Sequence, residues 1–277
     1  MTGIPKRIIQ TAKSANLPLS GRASAASMKA LNPGFEYSLF DDAAVATFMA
    51  EEPQEWRQAF ERFRGIQRFD FFRYLAVYKL GGFYFDTDVF LARALEPLLA
   101  YPCVFPFEEL TLMRRLREQW QMDWELGNYG FGARAGDPFL KAVIQNCVRG
   151  LNEPQWRDEL SQDIPKMFRN QFEATNATGP GIVTRTFAEN PSLQASVMVL
   201  FPPDVLQPAA WHQFGDYGVH LMLGTWRPKD GLIRSLLARR WEAGVRKELE
   251  QQSARLGPTR PQPWGREMPA PEAAAAP

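Results

Sequence analysis

The chain opens with a short β-branched run, Lys6 to Gln10 after Pro5, that predicts a first strand; Thr11 to Ser20 is then polar and rich in turn formers. After the turn Asn32-Pro33-Gly34, Phe35, Tyr37 and Leu39 alternate with polar residues, the period of a second strand. Strand, helix, strand is the opening of an α/β fold. From Asp41 to Phe63 the pattern turns helical and is broken at Pro53, which predicts two short helices forming a small lid or insertion over about residues 41–65. Gln67 to Leu80 carries Phe71, Leu75 and Tyr78 at helical spacing, and Gly81-Gly82 ends it, because glycine takes a left-handed cap without strain. Phe83-Tyr84-Phe85 is wholly apolar and belongs inside a sheet, ending at Asp86.

Downstream, "YPCVFPFEE" predicts another strand and loop, and Thr111 to Trp124 a charged helix. The segment "GNYGFGARAGDPFLKAVIQNCV" predicts a glycine-rich strand and a helix opening at Asp137-Pro138, with the aspartate as N-cap. "ATGPGIVTRTFAEN" repeats loop then helix, "SVMVLFPPDVL" is a late strand, and "YGVHLMLGTWRP" is the last motif before a basic helix from Leu232 to Leu256. Gly257 to Pro277 is rich in Pro and Ala and is read as a disordered tail, leaving 1–256 as a single domain.

Composition narrows the function. A net charge of +1 leaves no basic field for nucleic acid, so a phosphate site has to be local. No apolar run has signal-peptide or membrane-spanning length, so a cytoplasmic location is expected, with membrane association at most peripheral. Two cysteines, Cys103 and Cys147, do not make a disulfide framework or a zinc site. Aromatic residues at 13% suit an aromatic-lined cleft.

The chemistry concentrates where the apolar strand ends. Asp86 and Asp88 stand at i and i+2, a spacing that on extended chain aims both carboxylates into one volume. Their repulsion is removed by a hard divalent cation with oxygen ligands, and such a cation, Mn2+ or Mg2+, is what holds a diphosphate. As a Lewis acid it also assists the departure of that diphosphate.

The stretch "RFDFFRYLAVYKLGGFYFDTDV", Arg68 to Val89, resembles the core of the DxD-motif sugar-binding glycosyltransferases (glycosyltransferase family 32-like), a group that includes mannosyltransferases, capsular polysaccharide transferases and, more distantly, clostridial glucosylating toxins. The combination Asp70, Arg73, Tyr74, Gly81-Gly82, Tyr84, Asp86 and Asp88 has the family's spacing. "IPKRIIQT", "NPGFEYSLFDD", "TGPGIVTRTF" and "HLMLGTW" are similar to further family segments, so the likeness runs from Ile4 to Trp226. It implies a GT-A (Rossmann-like) fold with a mixed central sheet and helical insertions, a nucleotide-diphosphate sugar donor, a divalent metal, a glycan or protein acceptor, and transfer of a hexose with retention. The chain departs from the family at Ile9-Gln10-Thr11-Ala12, where members often read His-Gln-Thr-Trp, so base recognition is expected from other residues.

By this resemblance Asp88 ligates the metal, and Asp86 reaches the donor and the metal's surroundings. Arg73 and Asp70 bind the donor sugar and its developing charge; taken alone, their spacing better describes a surface ion pair, and it is the distance to Asp86 that favours the functional role. Tyr84 lines the ribose pocket or fills the core, and Asn128 binds the donor sugar or serves a turn. His220 is a third metal ligand or a phosphate contact where a lone histidine is otherwise structural, Trp226 meets the diphosphate and Thr225 binds the donor; His212, beside Trp211, is read as structural. Two other readings compete. A haloacid-dehalogenase-type phosphatase would use Asp86 as nucleophile and Asp88 as acid, and a non-catalytic sugar-binding protein would keep the fold alone.

Overall fold

The computed structural model describes residues 3–202, 205–223 and 232–255. β1 (Arg7–Thr11), α1 (Leu19–Leu31) and β2 (Glu36–Phe40) form the predicted opening unit, and α2 (Asp42–Ala50), α3 (Gln54–Arg62) and α4 (Ile66–Leu80) lead to β3 (Gly82–Phe85) and β4 (Val89–Leu91). β5 (Cys103–Leu110), α5 (Arg114–Trp120), β6 (Trp124–Leu126) and β7 (Gly130–Ala133) come next, then α6 (Pro138–Asn152), α7 (Pro154–Asp158), α8 (Glu173–Ala177), α9 (Pro180–Glu189) and α10 (Pro191–Gln194). β8 (Val197–Leu200), β9 (Gly218–His220) and α11 (Leu232–Arg255) complete the order.

The main sheet runs β2-β1-β3-β7-β5-β6, with β8 added alongside β5, and β4 pairs β9 in a separate ribbon. β1 is parallel to β2 and β3, whereas β3 and β5 are both antiparallel to β7, so the sheet is mixed, as expected. One face is covered by α4, α6 and α9 around Tyr84, Phe105 and Phe131; the other packs Phe83, Phe85 and Ile8 against Met28 of α1 and against β4. The predicted Asp137 cap is present, its carboxylate accepting from the Phe139 and Leu140 amides.

The glycines of β7 have a packing reason. Gly132 and Gly130 stand opposite Phe83 and Phe85, and a Cβ there would come within 2.4 Å and 2.7 Å of those rings. The bulk of β3 is accommodated by the bareness of its neighbour, which lets the central strand carry three aromatic residues in a row, Phe83 to Phe85.

Several expectations need correcting. The helix pair near 41–65 does not stand apart as a lid: Val45, Met49 and Ala59 are buried in the main core, and Phe48 packs edge-on against Phe72 of α4. The segment Thr111 to Trp124 is not one helix, since α5 covers only Arg114–Trp120 and Trp124 already pairs with Leu110 as strand. Gly81 has φ +66° but ψ 171°, so the helix ends in an extended glycine rather than a left-handed helical cap. Its N–H still donates to Val77, and a Cβ would strike Pro5 at 2.6 Å. Asp70 and Arg73 are not on a surface face, because α4 is buried from Asp70 through Val77. Among the described residues, no helix is long and apolar enough to cross a membrane. The predicted tail 257–277 lies outside the described residues.

Candidate active site

Asp86 follows the last residue of β3, and its backbone is held from both sides: its N–H donates to the Tyr129 carbonyl at 2.7 Å, and its carbonyl accepts from Gln10 Nε2 at 3.1 Å. Gln10 is itself buried, with its Oε1 taking the Tyr37 hydroxyl at 2.6 Å. The chain then turns, Val89 N–H closing on the Asp86 carbonyl at 3.1 Å. The two aspartates therefore converge through a turn between β3 and β4, not through the two-residue period of extended chain.

Behind Asp86 lies a buried network. Arg73 Nη2 is 3.1 Å from Asp86 Oδ1 and 3.0 Å from Asp70 Oδ1, and Arg73 Nη1 donates to the Asn128 carbonyl at 2.8 Å. The Tyr84 hydroxyl donates to Asp86 Oδ1 at 2.7 Å and lies 2.9 Å from Thr11 Oγ1, while the guanidinium sits over the Tyr84 ring at 4.6 Å. Asp70 Oδ2 accepts from Thr178 Oγ1 at 3.0 Å, and its Oδ1 accepts from Asn128 Nδ2 at 3.2 Å. The Asn128 amide also reaches the Tyr74 hydroxyl at 3.0 Å, which donates on to the Thr178 carbonyl at 2.7 Å.

Asp70 and Asn128 are thus turned toward protein groups, and their place is behind Arg73 and Asp86. Burial opposes the Arg73 charge, but Asp86, Tyr84 and Asp70 outweigh it and push its pKa up, so the guanidinium stays charged. Burial pushes Asp70 up to about 6 against the pull of Arg73. It raises Asp86 as well, again opposed first by Arg73.

In front of Asp86 the site is completed from far along the chain. β9 pairs antiparallel to β4 with Val89 opposite His220, which brings His220 Nε2 to 3.2 Å from Asp88 Oδ1. The Leu221 N–H donates to the Asp88 carbonyl and the Leu223 N–H to its Oδ2, both at 3.0 Å; Met222 between them has φ +51°. Burial pushes Asp88 upward, but the hydrogen bond and charge of His220, then the Leu223 amide, outweigh it and hold the carboxyl below its usual range. For His220, burial favours the neutral ring, yet the Asp88 hydrogen bond and the charges of Asp86, Asp88 and Glu108 raise its pKa.

One ligand atom from each of Asp86, Asp88 and His220 lies within 4.8 Å of the others. Two carboxylates and an imidazole, each partly exposed, fit a hard or borderline divalent cation such as Mn2+. Of the predicted residues, Asp70, Arg73, Tyr84, Asp86, Asp88, Asn128 and His220 come together; Thr225 and Trp226 lie outside the described residues.

The sequence reading missed three neighbours. The Tyr129 ring stacks on His220 with centroids 4.5 Å apart, His212 accepts the His220 N–H at its carbonyl at 2.9 Å, and His212 Nδ1 lies 3.6 Å from Glu108 Oε1. His212, read as structural, therefore stands beside the site. Its signal in the sequence was only that the two histidines of the chain are eight positions apart (220 − 212).

Comparison with known proteins agrees with the geometry. Residues 21–105 match the model of the glycosyltransferase sugar-binding region containing DXD motif. Inositol phosphoceramide mannosyltransferase 3 of Schizosaccharomyces pombe is 33% identical over 147 residues, covering 53% of this chain and 38% of that protein. A mannosyl phosphorylinositol ceramide synthase of Saccharomyces cerevisiae is 35% identical over 100 residues, 36% of this chain and 26% of that protein. The chain thus spans well under half the length of these relatives. Among solved structures, PaToxG glycosyltransferase superposes with a TM-score of 0.49 at 13% identity over 70% of this chain and 72% of that one. The UDP-bound glycosyltransferase domain of the YGT toxin gives 0.48 at 8% identity over 72% and 80%. Residues 21–105, from α1 through the Asp86 and Asp88 turn into β5, are thus similar to the sugar-binding region of the DXD-motif glycosyltransferases.

Proposed function

We propose that the protein is a metal-dependent glycosyltransferase of the GT-A type that moves a hexose from a nucleotide-diphosphate sugar to a hydroxyl of a glycan or protein acceptor, with retention. The observation that carries this reading is the convergence of Asp86, Asp88 and His220 in front of a buried, charged Arg73. A cation bound by the three would neutralise the diphosphate and act as Lewis acid on it. Asp88 and His220 would hold that ion, and Asp86, oriented by Arg73 and Tyr84, would face both ion and donor. The Arg73 charge, fixed in a low-dielectric setting, lowers the energy of negative charge developing at the leaving group without having to reorganise.

The phosphatase alternative needs an Asp86 oxygen free for in-line attack. Here Oδ1 is engaged by Tyr84 and Arg73, and Oδ2 faces Arg73 Nη1 at 3.4 Å. The names of the relatives make a mannosyl donor the first to test and add an inositol-bearing headgroup to the candidate acceptors.

Calorimetric titration of GDP and UDP, with and without Mn2+, tests the reading in wild type and Asp88→Asn. Wild type should bind one of them far more tightly with the metal, because the cation turns repulsion between two anionic groups into attraction. Asp88→Asn should lose that dependence while melting near the wild-type temperature. Equal, metal-independent binding in both proteins would refute it.

A further inference from the structure

Around the candidate metal site, four buried polar atoms have no hydrogen-bond partner among the described residues: Glu108 Oε2, Tyr129 Oη, His212 Nδ1 and, on the ligand His220 itself, Nδ1. They arrive from different parts of the fold. Glu108 comes from β5, Tyr129 from the segment leading into β7, His212 from the loop before β9 and His220 from the end of β9. Tyr129 is only 2% exposed, whereas the side chains of Glu108 and His212 keep 15% and 19% of their surface open to solvent.

A bare stretch of backbone adjoins them. A Cβ added to Gly127 would come 2.5 Å from Glu108 Oε2 and 2.7 Å from Tyr129 Cε1, so both side chains converge over a residue that has none. Glu108 Oε1 and His212 Nδ1 stop at 3.6 Å, too far for a hydrogen bond. His212 adopts φ +58°, uncommon for a residue with a side chain and the kind of strain that gathers at functional sites.

Buried polar atoms in folded proteins are nearly always paired, since an unpaired one forfeits its hydration without return. Four together form a site made to receive hydrogen bonds from outside the chain. Its chemistry narrows the occupant. A carboxylate repels phosphate and accepts hydrogen bonds, a phenol gives and accepts, and an imidazole nitrogen does either according to its tautomer. A neutral hydroxyl satisfies that set, donating to Glu108 and accepting from Tyr129 or His212.

We infer that Glu108, with Tyr129 and His212, forms the acceptor subsite, Glu108 taking the hydrogen bond of the hydroxyl that attacks the donor sugar. The assignment rests on the glycosyl-transfer reading and extends it to a wall that neither the DXD motif nor the residues before it describe. Glu108 holds and orients the hydroxyl; as its oxygen bonds to the sugar's anomeric carbon, the bond from that carbon to the diphosphate breaks, and the hydroxyl proton goes to the departing diphosphate, so none is transferred to Glu108.

Water can stand in for the acceptor, so donor hydrolysis is the probe. Wild type, Glu108→Ala and Tyr129→Phe are each incubated with Mn2+ and GDP-mannose or UDP-glucose, and release of nucleoside diphosphate is followed. Metal-dependent binding of GDP or UDP and melting temperature are measured on the same samples. Tyr129→Phe keeps the ring on His220 and removes only the unpaired hydroxyl, so it serves if Glu108→Ala does not fold.

The expected result is diphosphate binding within about twofold of wild type in both variants, with hydrolysis slowed at least about tenfold in Glu108→Ala and severalfold in Tyr129→Phe, since what is lost is orientation of the attacking oxygen. Hydrolysis at the wild-type rate in the variants would overturn the assignment, as would a loss of diphosphate binding in step with the rate. Wild type that releases no diphosphate from any donor would instead refute the transferase reading, and the subsite with it.

Discussion

On the α4 side of the site, Asp70, Tyr74, Asn128 and Thr178 pass hydrogen bonds among themselves, Tyr84 donates to Asp86, and the carboxylates of Asp70 and Asp86 flank one guanidinium. On the β5 and β9 side, Glu108, Tyr129, His212 and His220 gather as well, yet each keeps a polar atom with no partner among the described residues. The first wall has satisfied its polar groups internally, apart from Arg73 Nε. It can therefore hold Asp86 rigid before any ligand arrives. The second has left its groups for something else to satisfy. Preorganisation and binding thus fall on opposite walls, with the Asp86 and Asp88 turn between them.

The largest test of this contrast is to break the paired wall. Arg73→Ala leaves Asp70 and Asp86 buried without their shared cation, which should cost about 3–5 kcal/mol of stability and abolish measurable donor turnover. Denaturant melts and nucleoside diphosphate release report the two effects. A variant as stable as wild type would show that the network is not the rigid wall described here.

A finer cut on the same wall is Thr178→Val, which keeps the shape and removes the hydroxyl that Asp70 Oδ2 accepts from. Leaving that buried oxygen short of a partner should cost about 1–3 kcal/mol. Turnover should fall only as far as Arg73 and Asp86 lose their setting, so the measured drop in rate sharpens how much the positioning contributes.

The smallest expected effect lies behind the unpaired wall. Burial first, and then the charge of Glu109, push Glu125 up to about 8, while the Thr111 hydroxyl donates to it at 2.6 Å. Its folded value thus stands above the unfolded one of about 4.3. The unfolded chain releases its proton first, and the stability that this group contributes at low pH is lost as pH rises from about 4 toward 8. Glu125→Gln, neutral throughout, should match wild type near pH 4 and melt a few degrees higher near pH 8 to 9, by about the shift that one or two kcal/mol produces. Thermal melts of both proteins from pH 4 to 9 check it; parallel curves would mean that Glu125 is ionised in the folded state.

Much of the paired wall was legible because its members are close in the chain. Asp70 and Arg73 share one helix, Tyr84 lies on the strand that follows, Asp86 comes just past its end, and Asp88 is two residues further on. The same stretch misled where its surroundings could not be read. An i,i+3 ion pair on α4 resembles a surface pair until α6 and α8 are packed around it, and Asp86 and Asp88 looked extended because nothing local announces the turn. Glu108 and Tyr129 were invisible as site residues for a related reason. A glutamate in a strand and a tyrosine between glycines become chemistry only when Gly127 lets them meet.

The sequence by itself determined the opening strand-helix-strand unit, α4, β3 and α6 and their order, since period, caps and glycine stops act over a few residues and are written locally. It also determined that a wholly apolar strand ends in two carboxylates, and so where a cation-dependent site would lie. Tertiary structure decided which groups those carboxylates meet. The pairing of β4 with β9 supplies His220, the approach of α8's C-terminal Thr178 completes Asp70, and the depth of burial raises Asp86 while a histidine lowers Asp88. Hydrogen-bond partners and desolvation depend on residues a hundred or more positions away, and no local pattern carries that information.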